Sequence, residues 1–212
     1  MAQRQRNFYA ALYGVARVIN SSLDLAKVLN LIVEGAAKAM EAKGCSLRLL
    51  SSDGEKLLIS AAYGLSKQYL SKGPVEVERS GIDREALAGN PVVVLDATRD
   101  PRFQYPEEAL KEGIRSVLVV PLTIRGQTMG VLRVYTSALY DFSAEEVDFA
   151  SAAANLGAIA IENARLYETV KRAYDGLKAD LTEWYASWGI EREALITGVT
   201  VKEEPGSPIH AG

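Results

Sequence analysis

Apolar positions recur with helical spacing in the first part of the chain. Phe8 to Asn20 carries such a pattern and predicts a helix. A second helix is predicted to begin after Asp24, a residue type that caps helices, and to end before Gly44. Its apolar residues form one stripe, namely Val28, Leu29, Ile32, Val33, Ala36, Ala37 and Met40. A single stripe predicts a helix that covers a sheet.

Patterns typical of strands come next. CSLRLL, the turn SSDG and LLISAAYGL predict a first β-hairpin. A polar stretch, Ser66 to Gly81, leads to a short helix predicted over Ser80 to Ala88 and a strand over Val92 to Leu95. The long connection DATRDPRFQYPEEALKEGIRS follows, with helical turns predicted around Glu107 to Lys111. Connections of this length in compact domains are usually functional or disordered.

The segment SVLVVPLTIRGQTMGVLRVY predicts a second hairpin that turns at Arg125 and Gly126. In a hairpin without a bulge, the numbers of two residues that pair across the strands add up to 251. One face is then apolar and is expected to meet helices; it carries Val117, Val134, Val119, Leu132, Pro121 and Gly130. The other face starts apolar and ends with Leu118 opposite Arg133 and Ser116 opposite Tyr135. The polar end predicts a pocket, or alternatively a solvent-exposed rim of the sheet.

A long helix is predicted to close the pattern. In DFSAEEV, Ser143 is the expected cap and Glu146 completes a capping box. Small residues from Ala150 to Ala160 favour close packing on a sheet. Apolar positions then alternate at spacings of three and four, and we expect them to form a dimer interface: Tyr167, Val170, Tyr174, Leu177, Leu181 and Trp184. The alternative is that they pack against the N-terminal helix of the same chain.

Composition narrows the possible functions. The chain has 212 residues, 48% of them hydrophobic, and can therefore bury a core. Its net charge is -3 and it has no tract in which basic and aromatic residues alternate, so we expect no nucleic-acid partner. It has no apolar run of about 18 residues and no signal-peptide pattern, so we expect a cytoplasmic protein without a membrane partner. A single cysteine, Cys45, and a single histidine, His210, predict neither a metal site nor another cofactor.

Five motifs occur in one order along the chain: SLDLAKVLNLIVEGAAKAM, DATRDPRF, GIRSVLVVPL, GVLRVY and FSAEEVDFASAAANLGAIAIENARLYE. Together they resemble the GAF domain, a small-molecule-binding regulatory fold. The resemblance implies an α+β fold, with a central antiparallel sheet of five or six strands, N- and C-terminal helices on one face and a loop-covered pocket on the other. We therefore divide the chain into an N-terminal helix (1–20), a GAF domain (21–168), a coiled-coil-like extension (169–188) and a weakly structured tail (189–212).

Specialised members of the family differ from this sequence at their functional residues. Bilin-binding members use a pocket cysteine, whereas Cys45 lies in a predicted strand, and haem-binding members need an axial histidine that His210 in the tail does not supply. Cyclic-nucleotide-binding members carry an Asn-Lys pair where Thr136 and Ser137 stand here. Members that reduce free methionine sulfoxide depend on several cysteines, whereas this sequence has one.

The resemblance and the hairpin together predict a cavity for a small anionic or polar-aromatic molecule. Its predicted lining is Arg133, Tyr135, Arg115, Ser116, Phe103, Tyr105, Asp96 and Tyr63. The alternatives are that the aromatic residues fill the core and that a salt-bridge network holds the loop, formed by Asp96, Arg99, Asp100 and Arg102. A buried arginine requires an acceptor, so we expect Arg133 to bind a ligand or to pair with Asp96 or Asp100. Arg115 has the same options.

These observations favour a non-catalytic sensory or regulatory domain that binds a small molecule and signals through its terminal helices in a homodimer. The expected output partner is a signalling protein such as a sensor kinase or a regulator. Two alternatives remain: a thiol-based redox sensor or reductase that uses Cys45, and a dimerisation scaffold without a ligand. Thiol reactivity in the folded protein distinguishes the first alternative.

Overall fold

A computed structural model describes residues 2–21 and 24–187. The helices are α1 (Ala2–Ser21), α2 (Leu25–Ala39), α3 (Lys67–Leu70), α4 (Gly81–Leu87), α5 (Pro106–Glu112) and α6 (Ala144–Ser187). The strands are β1 (Gly44–Leu50), β2 (Lys56–Tyr63), β3 (Val75–Glu76), β4 (Val92–Val94), β5 (Ser116–Ile124) and β6 (Gln127–Thr136). The chain divides between Ala164 and Arg165 into two compact units. Across residues 2–21 and 24–187, no helix is both long and apolar enough to cross a membrane.

Six antiparallel strands form one sheet in the order β3-β2-β1-β6-β5-β4. β1 and β6 lie at its centre, so side chains on these two strands are the ones most readily covered on both faces. The α+β fold with a six-stranded sheet confirms the predicted fold class.

Helices α1, α2 and the first part of α6 cover one face of the sheet. Asp24 caps α2 as predicted, since its carboxylate accepts a hydrogen bond of 3.0 Å from the Lys27 backbone N–H. α1 begins at Ala2, earlier than the prediction, and the Phe8 ring stacks on Phe149 of α6 with 4.1 Å between ring centroids. The added part of α1 includes Arg4, which donates to Glu146 of α6.

The hairpin of β5 and β6 contains a β-bulge. Next to the turn, Ile124 pairs with Gln127, as the regular register predicts. Further on, Leu122 pairs with Gly130, so Met129 is an extra residue in β6. A Cβ atom on Gly130 would collide with the backbone of β1, and glycine at this position therefore permits the close approach of the two central strands.

The bulge makes the predicted faces of β5 wrong. Val119 lies opposite Arg133 and Val117 opposite Tyr135, on the face away from the long helices. The residues that β5 and β6 direct at the helices are Leu118, Val120, Leu122, Leu132 and Val134. For β6 the prediction was correct beyond the bulge, because Arg133 and Tyr135 belong to the face opposite the long helices. It was wrong for Met129, which packs with the core beneath the long helices.

The second face of the sheet is covered by short elements. The polar stretch from 66 to 81, in which the sequence pattern predicted no strand and no helix before Ser80, contains α3, β3 and a 3-10 turn at Val77–Arg79. Together with α4, α5 and the long connection, these elements form a second core that includes Leu57, Tyr69, Val75, Ile82, Phe103, Ile114, Val117, Val119 and Tyr135. The polar end of β6 is therefore buried beneath a layer of short helices.

Candidate ligand-binding site

Arg133 on β6 is buried and pairs with Asp83 on α4. Its Nε donates to Asp83 Oδ1 over 3.0 Å, and its Nη2 donates to Oδ2. The Ser80 hydroxyl also donates to Oδ2, and the Phe103 ring centroid lies 5.8 Å from the guanidinium carbon. Burial lowers the pKa of Arg133, but the Asp83 carboxylate and nearby phenols raise it more, so the net shift is upward. Arg133 is charged and internally paired.

Sequence reasoning missed Asp83. The predicted internal acceptors of Arg133 were Asp96 and Asp100, and both were wrong, because α4 rather than the long connection supplies the carboxylate. A signal for Asp83 does exist in the sequence. It follows Ile82 on the buried stripe of α4, and an acidic residue on such a stripe requires a cation.

A second buried arginine has no such acceptor. Arg48 on β1 is 0% exposed and lies on the same face of the sheet as Arg133, because Ser46, two residues earlier, pairs with Arg133. Its Nε, Nη1 and Nη2 atoms are enclosed and make no hydrogen bond to any residue that the structure describes. Buried guanidinium groups are normally paired, so this group points to an anionic ligand.

Lys72 adds another enclosed cation. Its Nζ lies 4.2 Å from the ring centroid of Tyr69 and 4.9 Å from that of Tyr105, and forms no hydrogen bond within the described ranges. Burial, followed by repulsion from Arg48 and Arg133, lowers the pKa of Lys72 to about 7. The ammonium is held by aromatic rings and not by a carboxylate.

Tyr135 joins these groups from β6. Its hydroxyl lies 2.9 Å from Ser46 Oγ, and its ring meets Tyr69 edge to face with centroids 6.1 Å apart. Burial raises the pKa of Tyr69, whose enclosed hydroxyl lacks a hydrogen-bond partner among residues 2–21 and 24–187. We refer to the whole group as the interior cluster: Ser46, Arg48, Tyr69, Lys72, Asp83, Phe103, Tyr105, Arg133 and Tyr135.

Three predicted site residues make their contacts outside the interior cluster. Arg115 donates from Nη2 to Asp96 Oδ2 over 3.0 Å, which is the internal pairing that the sequence left open. Hydrogen bonds from Thr98 and then Arg115 lower the pKa of Asp96 to about 2. Ser116 donates from its hydroxyl to the Leu95 carbonyl oxygen over 2.6 Å. These residues fasten the long connection to the start of β5.

The other predicted residues divide between the two faces. Phe103 and Tyr105 from the long connection lie in the interior cluster with Arg133 and Tyr135. Tyr63 packs instead with the core beneath the long helices. Ion pairs within the loop network are present. The exposed Arg102 side chain, for example, contacts Asp100 at 2.7 Å and Glu85 at 3.1 Å.

A surface cleft of about 340 Å³ lies beside the interior cluster, between α3 and α5. Tyr69 lines the cleft and also contacts Lys72 in the cluster. Glu112 at the end of α5 accepts a hydrogen bond of 2.9 Å from the backbone N–H of Ser66, and Lys43 lies 3.6 Å from the same carboxylate. The cleft therefore borders the interior cluster at Tyr69, and Glu112 connects the end of α5 to the residue that precedes α3.

Glu146 joins the two terminal helices. It accepts hydrogen bonds from the Ser143 backbone N–H at 2.8 Å and from the Tyr140 hydroxyl at 2.9 Å, which confirms the predicted capping box. Arg4 of α1 donates to the same carboxylate. The segment that leaves β6 is thus connected to both α1 and α6 through one buried side chain.

Cys45 offers little chemistry. It is 0% exposed on β1, faces the long helices, and burial raises the pKa of its thiol well above the ordinary value. Among the described residues, no group of three His, Cys, Asp or Glu side chains is placed to hold a metal ion.

The comparisons with known proteins identify the family. The family model for the GAF domain matches residues 22–162, so the chain belongs to the GAF domain family. A Nif-specific regulatory protein from Herbaspirillum seropedicae is 28% identical over 127 residues, which is 58% of this chain and 23% of that protein. A methyl sulfide methyltransferase-associated sensor from Methanosarcina acetivorans is 27% identical over 160 residues, 73% of this chain and 16% of that protein. The chain therefore spans less than a quarter of either relative.

Solved structures agree on the fold. The GAF domain of an Acinetobacter phosphoenolpyruvate-protein phosphotransferase is 26% identical, with a TM-score of 0.64 over 74% of this chain and 94% of that one. A free methionine-R-sulfoxide reductase from Neisseria meningitidis is 20% identical, with a TM-score of 0.64 over 76% of this chain and 91% of that one. At that identity the likeness concerns the fold alone. GAF domains are generally regulatory, but this neighbour is an enzyme.

Proposed function

We propose that the protein is a non-catalytic sensory domain that binds a small anionic molecule in the interior cluster and passes its occupancy to the terminal helices. The observation that carries the proposal is the buried guanidinium of Arg48, whose three nitrogen atoms make no hydrogen bond to the described chain. An uncompensated buried charge costs several kcal/mol, and an anion bound beside it offsets that cost. Membership of the GAF family and the regulatory relative support the same class of function.

The route of transmission follows β6 into α6. Arg133 and Tyr135, near the end of β6, belong to the interior cluster. The segment that follows carries Tyr140, whose hydroxyl donates to Glu146, and Glu146 also accepts from Arg4. If the ligand binds more tightly when β6 is in one of two placements, its binding shifts α1 and α6 through these contacts. The ligand must therefore discriminate between two arrangements of the helices.

We further propose that the second unit of the chain forms a homodimer through α6. The side chains at alternating spacings of three and four are exposed in a single chain: Tyr167, Val170, Tyr174, Leu177, Leu181 and Trp184. Monomers rarely expose an apolar stripe of this length, and the spacing is that of a seam between two equivalent helices. A second copy of this chain matches the stripe along its whole length. A sensor kinase or regulator as output partner, and a cytoplasmic location, remain predictions.

The test of ligand binding uses protein purified from its own host. Native mass spectrometry of the full chain is expected to show a retained small molecule in the wild type and in Arg84→Met, which alters an exposed arginine of α4. Arg48→Met is expected to lose that molecule while remaining folded by circular dichroism. A wild type without a retained molecule, together with identical melting of all three proteins, would refute the proposal and favour the scaffold.

One observation favours the scaffold as a second candidate. Arg133 already has an internal acceptor in Asp83, so this part of the cluster is satisfied without a ligand. The scaffold does not account for Arg48, however. The redox alternative requires an accessible thiolate, whereas burial raises the pKa of Cys45. Slow labelling of Cys45 in the native protein, and fast labelling after unfolding, are the results expected if the thiol has no catalytic role.

A further inference from the structure

The interior cluster contains more positive than negative charge. Arg48, Lys72 and Arg133 contribute three cations, and the guanidinium of Arg133 is neutralised by Asp83. The enclosed nitrogen atoms of Arg48 and Lys72 form no hydrogen bonds within the described chain, so two positive charges lack an acceptor whenever Lys72 is protonated. Glu108 lies farther out and lines the surface cleft.

Resting on the proposed function, we infer that the ligand is a small dianion whose two negative charges bind Arg48 and Lys72. Two negative charges compensate both Arg48 and a protonated Lys72, whereas a monoanion leaves one of these two cations without compensation. The planar guanidinium favours an acceptor with two oxygen atoms, and carboxylate and phosphate groups both have that geometry. A short dicarboxylate and a phosphate monoester therefore share the required chemistry.

The surroundings of Lys72 couple this binding to a proton. Arg48 and Arg133 on the central strands repel its ammonium, whereas Glu108 of α5 and Asp83 of α4 oppose that repulsion. Burial and the net repulsion together lower the pKa of Lys72 to about 7. An anion beside the ammonium raises this pKa, so above pH 7 binding brings a proton from solvent. Affinity is then expected to fall by up to about tenfold per pH unit as the pH rises above 7.

The experiment uses isothermal titration of the full chain with succinate, methyl phosphate and butyrate. Butyrate has the same number of carbon atoms as succinate but only one negative charge. We expect one of the two dianions to bind at least about tenfold more tightly than butyrate, as a charge difference in a dry site requires. Succinate binding alone indicates a dicarboxylate ligand, and methyl phosphate binding alone indicates a phosphate monoester.

Variants locate the two charges. Arg48→Met and Lys72→Met are each expected to weaken binding of the dianion by at least about tenfold, the loss of one charge-assisted contact. Lys67→Met, at an exposed position of α3, is expected to bind as the wild type does. Titrations at pH 8 in two buffers of different ionisation enthalpy are expected to report uptake of about one proton in the wild type and none in Lys72→Met.

Failure of this inference is distinguishable from failure of the proposed function. Equal binding of butyrate and succinate, with both lost in Arg48→Met, overturns the dianion and leaves the anion site in place. Absence of binding by both dianions at millimolar concentration also overturns the dianion, and the retained molecule in native mass spectrometry then decides the proposed function by itself. Unchanged dianion binding in Lys72→Met overturns the role of Lys72.

Discussion

Replacing Arg48 by methionine is expected to stabilise the ligand-free protein. Methionine keeps most of the unbranched stem of arginine and removes a buried charge without a hydrogen-bond partner in the described chain. Replacing a buried ion pair by apolar side chains of similar volume is often neutral or stabilises proteins by about 1 to 4 kcal/mol, and we expect a gain in this range for Arg48 because no attraction to a partner is lost. In a chain of this size, each kcal/mol moves the melting temperature by about 2 to 4 °C. We therefore expect an increase of several degrees.

The measurement requires protein without a bound small molecule. Unfolding in denaturant, extensive dialysis and refolding remove any ligand, and urea titration then gives the free energy of unfolding of each variant. Arg84→Met is the matched control, because it makes the same substitution at an exposed position, where changes are usually within about 0.5 kcal/mol. A loss of more than about 1 kcal/mol in Arg48→Met, with the control unchanged, would refute our reasoning about the unpaired guanidinium.

Three further predictions address other parts of the molecule. Arg133→Met is expected to destabilise the protein by about 3 to 5 kcal/mol, because it leaves the buried Asp83 carboxylate unpaired, and Asp83→Asn in the same chain should restore part of the loss in urea titration. The folded state lowers the pKa of Lys72 to about 7, so the unfolded chain binds more protons than the folded chain above pH 7. The stability of the wild type relative to Lys72→Met should therefore rise from pH 7 to pH 9.5 in thermal melts. A stability difference that does not change with pH would contradict the lowered pKa. Replacing Leu177 and Leu181 together by glutamate is expected to give a folded monomer in sedimentation, and an unchanged dimer mass would exclude this part of α6 as the interface.

Helices α2 and α6 could be predicted because their signals are local. Asp24 and Ser143 are caps that can be identified within one turn, and the apolar stripe of α2 repeats often enough to fix its buried face. The register of β5 could not be predicted in the same way. Val117 and Val119 are as apolar as Leu118 and Val120, so the pattern does not distinguish the two faces, and nothing in the sequence identified Met129 as the extra residue.

The candidate site was predictable only in part. Arg133 and Tyr135 stand out because they interrupt an apolar strand, and their face of β6 was correctly predicted. Arg48 also interrupts a strand, but a single charge at an alternating position is equally typical of a solvent-exposed face. Lys72 lies in a polar stretch without periodicity. Their burial depends on α3, α4 and α5 covering the sheet, which involves contacts between segments far apart in the sequence.

The contacts of Glu146 with α1 also set the order in which parts of a newly made chain can assemble. Arg4 and Glu146 are 142 residues apart, and Phe8 stacks on Phe149 across a similar separation. At translation rates of about 5 to 20 residues per second, α1 leaves the ribosome roughly seven to thirty seconds before these partners. During that interval Phe8 of α1 has no Phe149 on which to stack. Nascent chains are therefore expected to expose Phe8 until the start of α6 has emerged.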